Sequence, residues 1–244
     1  IANYSACFSS HPETAFYLYY VEKDTDLNFE TGEKSGLYEY LQAKLPLPAD
    51  RMSCFAVDSF ETYRRFFYRS DHHWNHLGSY QGYTELLTLL EVDEPPLSPA
   101  EEITLPQRLS GSKASSAGAE GFSEPFTAYR FDFPPMRIQI NGSPAEDYGS
   151  QASFFAESTA PVSYGAFYGD DSGEVIFDTD RPNRENLLIL GESFDNAVLK
   201  LLATHYNRTC AVDLRNYSIS LGREFSLSAY LEEHQIDRVL LMGN

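Results

Sequence analysis

The chain has 244 residues, with 36 Asp plus Glu against 18 Lys plus Arg for a formal charge of −18, and 14% of its residues are aromatic. An apolar content of 42% is enough to bury a sizeable core, which argues against disorder of the whole. So negative a surface repels phosphate backbones and anionic headgroups, so nucleic acid is a poor partner, and no stretch approaches the roughly 20 uninterrupted apolar residues of a membrane span.

In chain order, the first 91 residues alternate strand and helix signals: apolar Ala15–Val21, helix-like Gly36–Leu45, strand-like Met52–Val57, then Ser59–Phe67. After His76, apolar residues at Leu77, Tyr80, Tyr83, Leu86, Leu87 and Leu90 mark the buried stripe of an amphipathic helix, ended by Pro95 and Pro96. The segment Gln107–Pro125, rich in Gly, Ser and Ala, predicts a mobile loop. Short β-like runs follow at Tyr129–Phe133, Met136–Ile140, Ala152–Ala156, Val162–Tyr168 and Glu174–Thr179, separated by Pro-Pro, Asn141-Gly142 and Asp170–Gly173 turn signals. From Asn186 the alternation returns as strand Leu187–Leu190, helix Asn196–His205, strand Cys210–Leu214, helix Leu227–His234 and strand Arg238–Met242. Short apolar strands joined by amphipathic helices predict a parallel sheet covered on both faces. The chain thus divides into a first α/β half (1–91), a β-rich insertion with the mobile loop (92–185) that could rim a site, and a second α/β half (186–244).

Three cysteines lack any zinc-knuckle or Cys-x-x-Cys spacing, and an odd count allows at most one internal disulfide. A Cys7–Cys54 pairing is open, whereas Cys210 heads a strand-like run and reads as a buried thiol.

Three segments carry candidate chemistry. The first is Leu187-Leu-Ile-Leu-Gly-Glu-Ser193-Phe-Asp195, a buried strand and a glycine ahead of a serine at the mouth of a helix. Unpaired N–H groups at a helix N-terminus stabilise an oxyanion formed when Ser193 Oγ attacks a carbonyl; the plain alternative is that Ser193 or Asp195 only caps the helix. Asp195 stands where the second glycine of a G-x-S-x-G elbow would be. The second is Tyr68-Arg-Ser-Asp71-His72-His73-Trp74-Asn-His76. Asp and His two apart in an extended segment point the same way and supply the base and the orienting carboxylate that a serine nucleophile needs. Two other readings compete here: a metal site on Asp71, His72 and His76, from the i, i+4 spacing of the histidines, and a purely structural cap. The third is the strand ending Gly243-Asn244, whose Asn amide can donate into an oxyanion site or simply face solvent.

Phe67-Tyr-Arg-Ser-Asp-His-His-Trp-Asn75 resembles the signature of the DHHW family of bacterial proteins, and Gly191-Glu-Ser-Phe-Asp195 resembles its serine motif. That family is grouped with SGNH-hydrolase-like proteins and is similar to the exported O-acetyltransferases that modify alginate, in which an Asp-x-His-Trp motif precedes Gly-Asp-Ser. The resemblance implies Asp71 as orienting carboxylate, His73 as general base, Ser193 as nucleophile, and the Ser193 backbone N–H with Asn244 as oxyanion donors. His72, Trp74, Glu192 and Asp195 are supporting residues. Glu192 stands where the family usually has Asp, and the glycine expected soon after Cys210–Leu214 is delayed until Gly222.

The expected fold is therefore an α/β, SGNH-like (flavodoxin-like) three-layer parallel sheet with a β-rich insertion. The expected activity is O-acetyl transfer or acetyl ester hydrolysis on a cell-surface polysaccharide or acylated sugar through a Ser-His-Asp triad that requires no metal or organic cofactor. The alternatives are a catalytically silent glycan- or partner-binding surface protein and a metal-dependent hydrolase. The resemblance also implies an extracytoplasmic location, secreted or held by an N-terminal segment outside this chain, and leaves room for a membrane partner that supplies the acyl group. The acidity favours a neutral or weakly charged ester unless the crevice carries a basic rim, for which Arg64, Arg65, Arg69 and Arg215 are candidates.

Overall fold

The apolar run Ala15–Val21 forms strand β1, buried along nearly its whole length in the computed structural model, which describes residues 8–119, 121–156 and 162–244. After it come α1 (Leu37–Lys44), β2 (Met52–Phe55), α2 (Phe60–Phe66), α3 (His76–Leu89), β3 (Glu101–Leu109), α4 (Ser112–Ser116) and β4 (Glu124–Arg130). The middle continues with β5 (Arg137–Ile140), β6 (Ser143–Ala145), α5 (Gln151–Phe155), α6 (Tyr164–Tyr168) and β7 (Glu174–Asp178). Then follow β8 (Asn186–Leu190), α7 (Leu199–Ala203), β9 (Arg208–Val212), α8 (Tyr217–Leu221), α9 (Leu227–His234) and β10 (Arg238–Gly243).

One sheet holds eight strands in the order β2-β1-β10-β8-β9-β7-β5-β6, and β3 with β4 forms a separate antiparallel hairpin. β2, β1, β10, β8 and β9 are mutually parallel. Counted from β8, these five stand in the 2-1-3-4-5 order of a flavodoxin-like sheet, which the chain enters at the fourth position. The switch point of such a sheet lies between its first and third strands, here β8 and β10. Gly191, Glu192 and Ser193 follow the first of these, and Asn244 follows the second.

The sheet is not wholly parallel, which corrects the sequence expectation. β7, β5 and β6 extend it antiparallel beyond β9. A tight connection such as Asn141-Gly142, with both residues at positive φ, can only turn a strand back beside its neighbour, whereas a parallel pair needs a long crossover. Alternation along each strand gives both faces a core. Tyr17, Tyr19, Ile189 and Leu240 face α3 and α7, while Phe16, Leu188 and Val239 face Tyr217 of α8 and Tyr230 of α9.

Four local expectations also change. Ala152–Ala156 and Val162–Tyr168 are largely helical, as α5 and α6, because short aromatic runs fit either period and Ser163 caps α6 by accepting from Ala166 N. Gln107–Pro125 is not loop throughout, since it holds the end of β3, all of α4 and the start of β4. β3 gave no signal because its outward positions are polar and few of its residues are buried. The helix expected over Asn196–His205 is reduced to a 3-10 turn, Asp195–Ala197, followed by α7. Cys210 is buried and burial pushes its thiol up to about 12, as expected of an inert core cysteine, whereas the Cys7 pairing lies outside the described residues.

Candidate active site

Backbone pairing shapes the loop that carries the histidines. Phe67 and Trp74 bridge, Tyr68 N donates to His73 O at 3.1 Å, and Asn75 N donates to Phe66 O at 2.8 Å, so residues 68–73 bulge from a closed neck. Asn75 then starts α3, its Oδ1 accepting from Leu77 N at 2.9 Å and Gly78 N at 3.1 Å. Glu124, at the start of β4, anchors the bulge by accepting from Arg69 N (2.9 Å), Ser70 N (2.6 Å) and Ser70 Oγ (2.7 Å).

Within the bulge Asp71 is fully engaged. Its Oδ1 accepts from His73 Nδ1 at 2.5 Å and His73 N at 3.1 Å; its Oδ2 accepts from Ser112 N at 2.9 Å and Ser112 Oγ at 3.3 Å. A side chain at Gly111 would collide with the Asp71 side chain, so the turn into α4 presses backbone directly against the carboxylate. Burial alone would raise Asp71. The His73 hydrogen bond and charge, with the Ser112 and His73 backbone donors, outweigh it and hold the carboxyl well below the usual carboxylate range.

His73 Nε2 lies 2.8 Å from Ser193 Oγ, which follows β8, so the chain Asp71–His73–Ser193 is unbroken across 120 residues of sequence. With Asp71 accepting at Nδ1–H, Nε2 carries the lone pair and Ser193 donates to it. The imidazole is sandwiched: Tyr164 of α6 stacks on it at 3.8 Å with parallel planes, and Phe194 approaches at 4.9 Å. Trp74 is fully buried behind, donating Nε1–H to Tyr164 Oη at 3.3 Å, with Phe194 edge-on at 5.9 Å.

Ser193 does not sit at the start of an α-helix, which corrects the expected dipole; a 3-10 turn follows it and the nearest α-helix, α7, has five residues. Asn244 lies beside Glu192 and Lys23. Its Nδ2 donates to Glu192 Oε1 at 2.7 Å, its Oδ1 accepts from Lys23 Nζ, and Glu192 Oε2 accepts from Arg215 Nη1 at 3.3 Å. Gly222 ends α8 at positive φ, and the loop straight after β9 is Asp213-Leu214-Arg215 instead.

The metal reading on Asp71, His72 and His76 does not hold its third member. His76 opens α3 and packs edge-on to Tyr129 at 4.9 Å, while His72 hydrogen-bonds Ser112 Oγ at 2.7 Å and lies against His73. Among the described residues the group with metal-ligand spacing is Asp71, His72 and His73, two of which are already committed to the Ser193 chain. Burial and the neighbouring His73, Lys23 and Lys113 charges depress His72, with Asp71 opposing them. Those two lysines are basic groups that the sequence reading missed. Of its candidates, Arg215 reaches the site, whereas Arg64, Arg65 and Arg69 lie over Phe60, Phe66 and Phe122.

Asp195 is buried behind Gly191, where a side chain would strike its carboxylate. Burial, then the charges of Asp213, Asp171 and Glu192, raise its pKa far above the ordinary range against the pull of Arg215. A raised carboxyl binds its proton more tightly folded than unfolded, so its stabilising contribution is full below about pH 4 and is lost as pH rises. Asp195→Asn is therefore expected to raise Tm at pH 8 by about 2–4 °C, the gap closing toward pH 4; calorimetric scans across that range check it.

A scan against protein-family models finds no match, and neither does a search of curated proteins. Solved structures do match. Bacillus cereus PatB1 carrying a sulfonyl adduct aligns at TM-score 0.72 and 20% identity over 100% of this chain and 84% of its own; PatB1 without the adduct aligns at 0.72 and 19% over 99% and 86%. A DHHW family protein from Eubacterium siraeum DSM 15702 aligns at 0.71 and 18% over 99% and 83%. The fold is that of a DHHW family protein. The likeness spans the whole chain, so the segment between the two α/β halves belongs to the shared architecture as much as the halves do. At these identities the match speaks for the DHHW fold, and the chemistry rests on the side chains described above.

Proposed function

We propose that the protein moves an acyl group, acetyl in the first place, to or from a hydroxyl of a cell-surface polysaccharide outside the cytoplasm, as an SGNH-like O-acetyltransferase or acetylesterase. The observation that carries this reading is the position of His73, hydrogen-bonded on one nitrogen to a buried carboxylate and on the other to a serine at the switch point of the sheet. The resemblance of the Asp71–Trp74 and Gly191–Asp195 motifs to those of polysaccharide O-acetyltransferases supports the substrate class.

Ser193 Oγ attacks the ester carbonyl carbon as its proton passes to His73 Nε2. The imidazolium so formed is stabilised by Asp71. Collapse of the tetrahedral intermediate breaks the acyl carbon–oxygen bond, and His73 returns the proton to the leaving alkoxide. A sugar hydroxyl or a water then repeats the sequence on the acyl-serine, giving transfer or hydrolysis. The oxyanion takes the Ser193 N–H, and it gains Asn244 Nδ2 when that amide exchanges Glu192 for the substrate. No step requires a metal.

A sulfonyl adduct is present on PatB1, and the same chemistry tests Ser193. A sulfonyl fluoride is expected to add one label, mapped by mass spectrometry to Ser193, and Ser193→Ala is expected neither to be labelled nor to release acetate from an acetylated sugar. Unchanged acetate release in Ser193→Ala sinks the reading.

A further inference from the structure

The carboxyl ends of β1, β8 and β10 form one wall of a cleft of about 460 Å³ on the opposite face of the sheet from Trp74 and Tyr164. Its floor is mainly apolar, made by Leu18, Leu41, Leu190 and Leu241, and its polar side is formed by Glu192, Asp213, Arg215 and Asn244. Gly191 and Glu192, the two residues ahead of Ser193, line it. The volume falls in the range of small-molecule sites and far exceeds an acetyl group; at about 30 Å³ per water-sized group it has room on the order of ten carbons.

The cleft is also thinly roofed. α1, which closes one side, has no buried residue and starts from Gly36 at φ 69° without a side-chain cap. Leu37 (40% exposed) and Leu214 (52%) flank the opening, and Tyr40 (51%) stands on the same helix. Two of the five large apolar side chains exposed among the described residues, Leu37 and Leu214, thus line one concavity. An open, mainly apolar slot whose charged lining groups Glu192, Asp213 and Arg215 are tied to one another fits a linear aliphatic chain whose polar end stays beside Glu192, the residue before Ser193.

We propose that this cleft binds the aliphatic chain of an acyl ester whose carbonyl is presented to Ser193, so that the acyl donors accepted extend beyond acetyl to chains of about six to eight carbons. This rests on the serine reading above. The bond chemistry is unchanged: the acyl carbon leaves its alkoxide for Ser193 Oγ, and only the tail occupying the cleft differs.

Two measurements separate this proposal from the serine mechanism. In the intact protein, kcat/KM for p-nitrophenyl esters is expected to climb by about threefold to fourfold per methylene from acetate to octanoate. Leu41→Asp, on a helix with no buried residue, and Leu241→Trp, which fills the floor, are each expected to lower the octanoate-to-acetate ratio at least tenfold. Independently of turnover, calorimetry with sodium octanoate is expected to show binding to Ser193→Ala that Leu41→Asp weakens at least tenfold. A flat chain-length profile with no octanoate binding overturns the cleft proposal even if Ser193 is labelled. Octanoate binding without ester turnover supports the cleft and removes the serine mechanism. A dimer that Leu41→Asp dissolves assigns the cleft to a second copy and also overturns the proposal.

Discussion

Asp71→Asn lowers kcat for ester hydrolysis on the order of 10⁴-fold with the protein still folded. The reason lies in what surrounds the carboxylate. All four contacts on Asp71 come from donors or from a hydroxyl that donates: His73 Nδ1 and N on Oδ1, Ser112 N and Oγ on Oδ2. An amide has one acceptor and one donor end, so either orientation of Asn sets an NH₂ against a backbone N–H. With the NH₂ toward His73, the ring must hold its proton on Nε2 and cannot accept one from Ser193. With the NH₂ toward Ser112, the anchor to α4 is lost. In both, the imidazolium formed during attack has no negative partner. The same substitution leaves a thermodynamic mark. Asp71 is depressed in the fold, so its stabilising contribution is full above about pH 4 and declines in acid, and the Tm difference between the two proteins should shrink as pH drops below that value. Steady-state kinetics with matched thermal scans test both. A loss under tenfold in kcat would mean that Asp71 does not serve His73 as described.

Much of the site is legible in the sequence because its chemistry is concentrated. Asp71, His73 and Trp74 fall within four residues, and Ser193 follows a strand and a glycine, so residue type and spacing admit a base, an orienter and a nucleophile beside capping and metal readings, and the resemblance to the DHHW signature is what selects among them. The residues that hold these groups in place are not legible in that way. Tyr164, stacked on His73, comes from a short aromatic run whose period fits strand and helix equally, and Ser112 comes from a Gly/Ser-rich segment with no apolar period at all. Glu124, which anchors Arg69 and Ser70, is one of 36 acidic residues and carries no local mark of that role. Each becomes visible only when a distant segment is brought against the bulge.

The fold divides the same way. The alternation of short apolar strands with amphipathic helices announces a parallel sheet, and the five parallel strands bear that out. Strand order is not written in that alternation. That β10 lies between β1 and β8, bringing Asn244 beside Glu192, follows from long-range packing of the two halves. Nor does the alternation tell that β7, β5 and β6 prolong the same sheet. Helix signals fail where burial is set by neighbours, as in the stretch after Ser193, where a 3-10 turn lets Asp195 fold back beneath Gly191.

Trp74→Ala costs about 3–5 kcal/mol, a drop in Tm of roughly 10 °C, and it also lowers kcat although Trp74 touches no reacting atom. The indole is 0% exposed and is held on every side: Phe55 edge-on at 5.7 Å, Phe194 at 5.9 Å, Tyr164 Oη at 3.3 Å from Nε1, and the surface of α3. That surface is shaped for it. A Cβ at Gly82 would lie 2.5 Å from Trp74 Cζ3, and one at Gly78 would strike the Phe66 carbonyl, with Trp74 Cβ 2.9 Å away. Gly82 therefore lets the indole reach the depth at which His73, one residue earlier, meets Tyr164 and Ser193, and Gly78 lets α3 press against the neck of the loop at Phe66. Removing the indole leaves a cavity that the rigid sheet beneath cannot close, and the His73 loop loses the partner that fixes its height. Gly82 supplies the discriminating measurement. Gly82→Ala is destabilising in the native background because its methyl needs space that Trp74 fills, and it becomes neutral or stabilising in the Trp74→Ala background, where that space is empty and alanine favours the helix. A double-mutant cycle on Tm and kcat should thus show strong non-additivity between positions 74 and 82. Additive effects would mean that the indole and α3 do not depend on one another, and that the position of His73 is set by the Asp71–Ser112 contact alone.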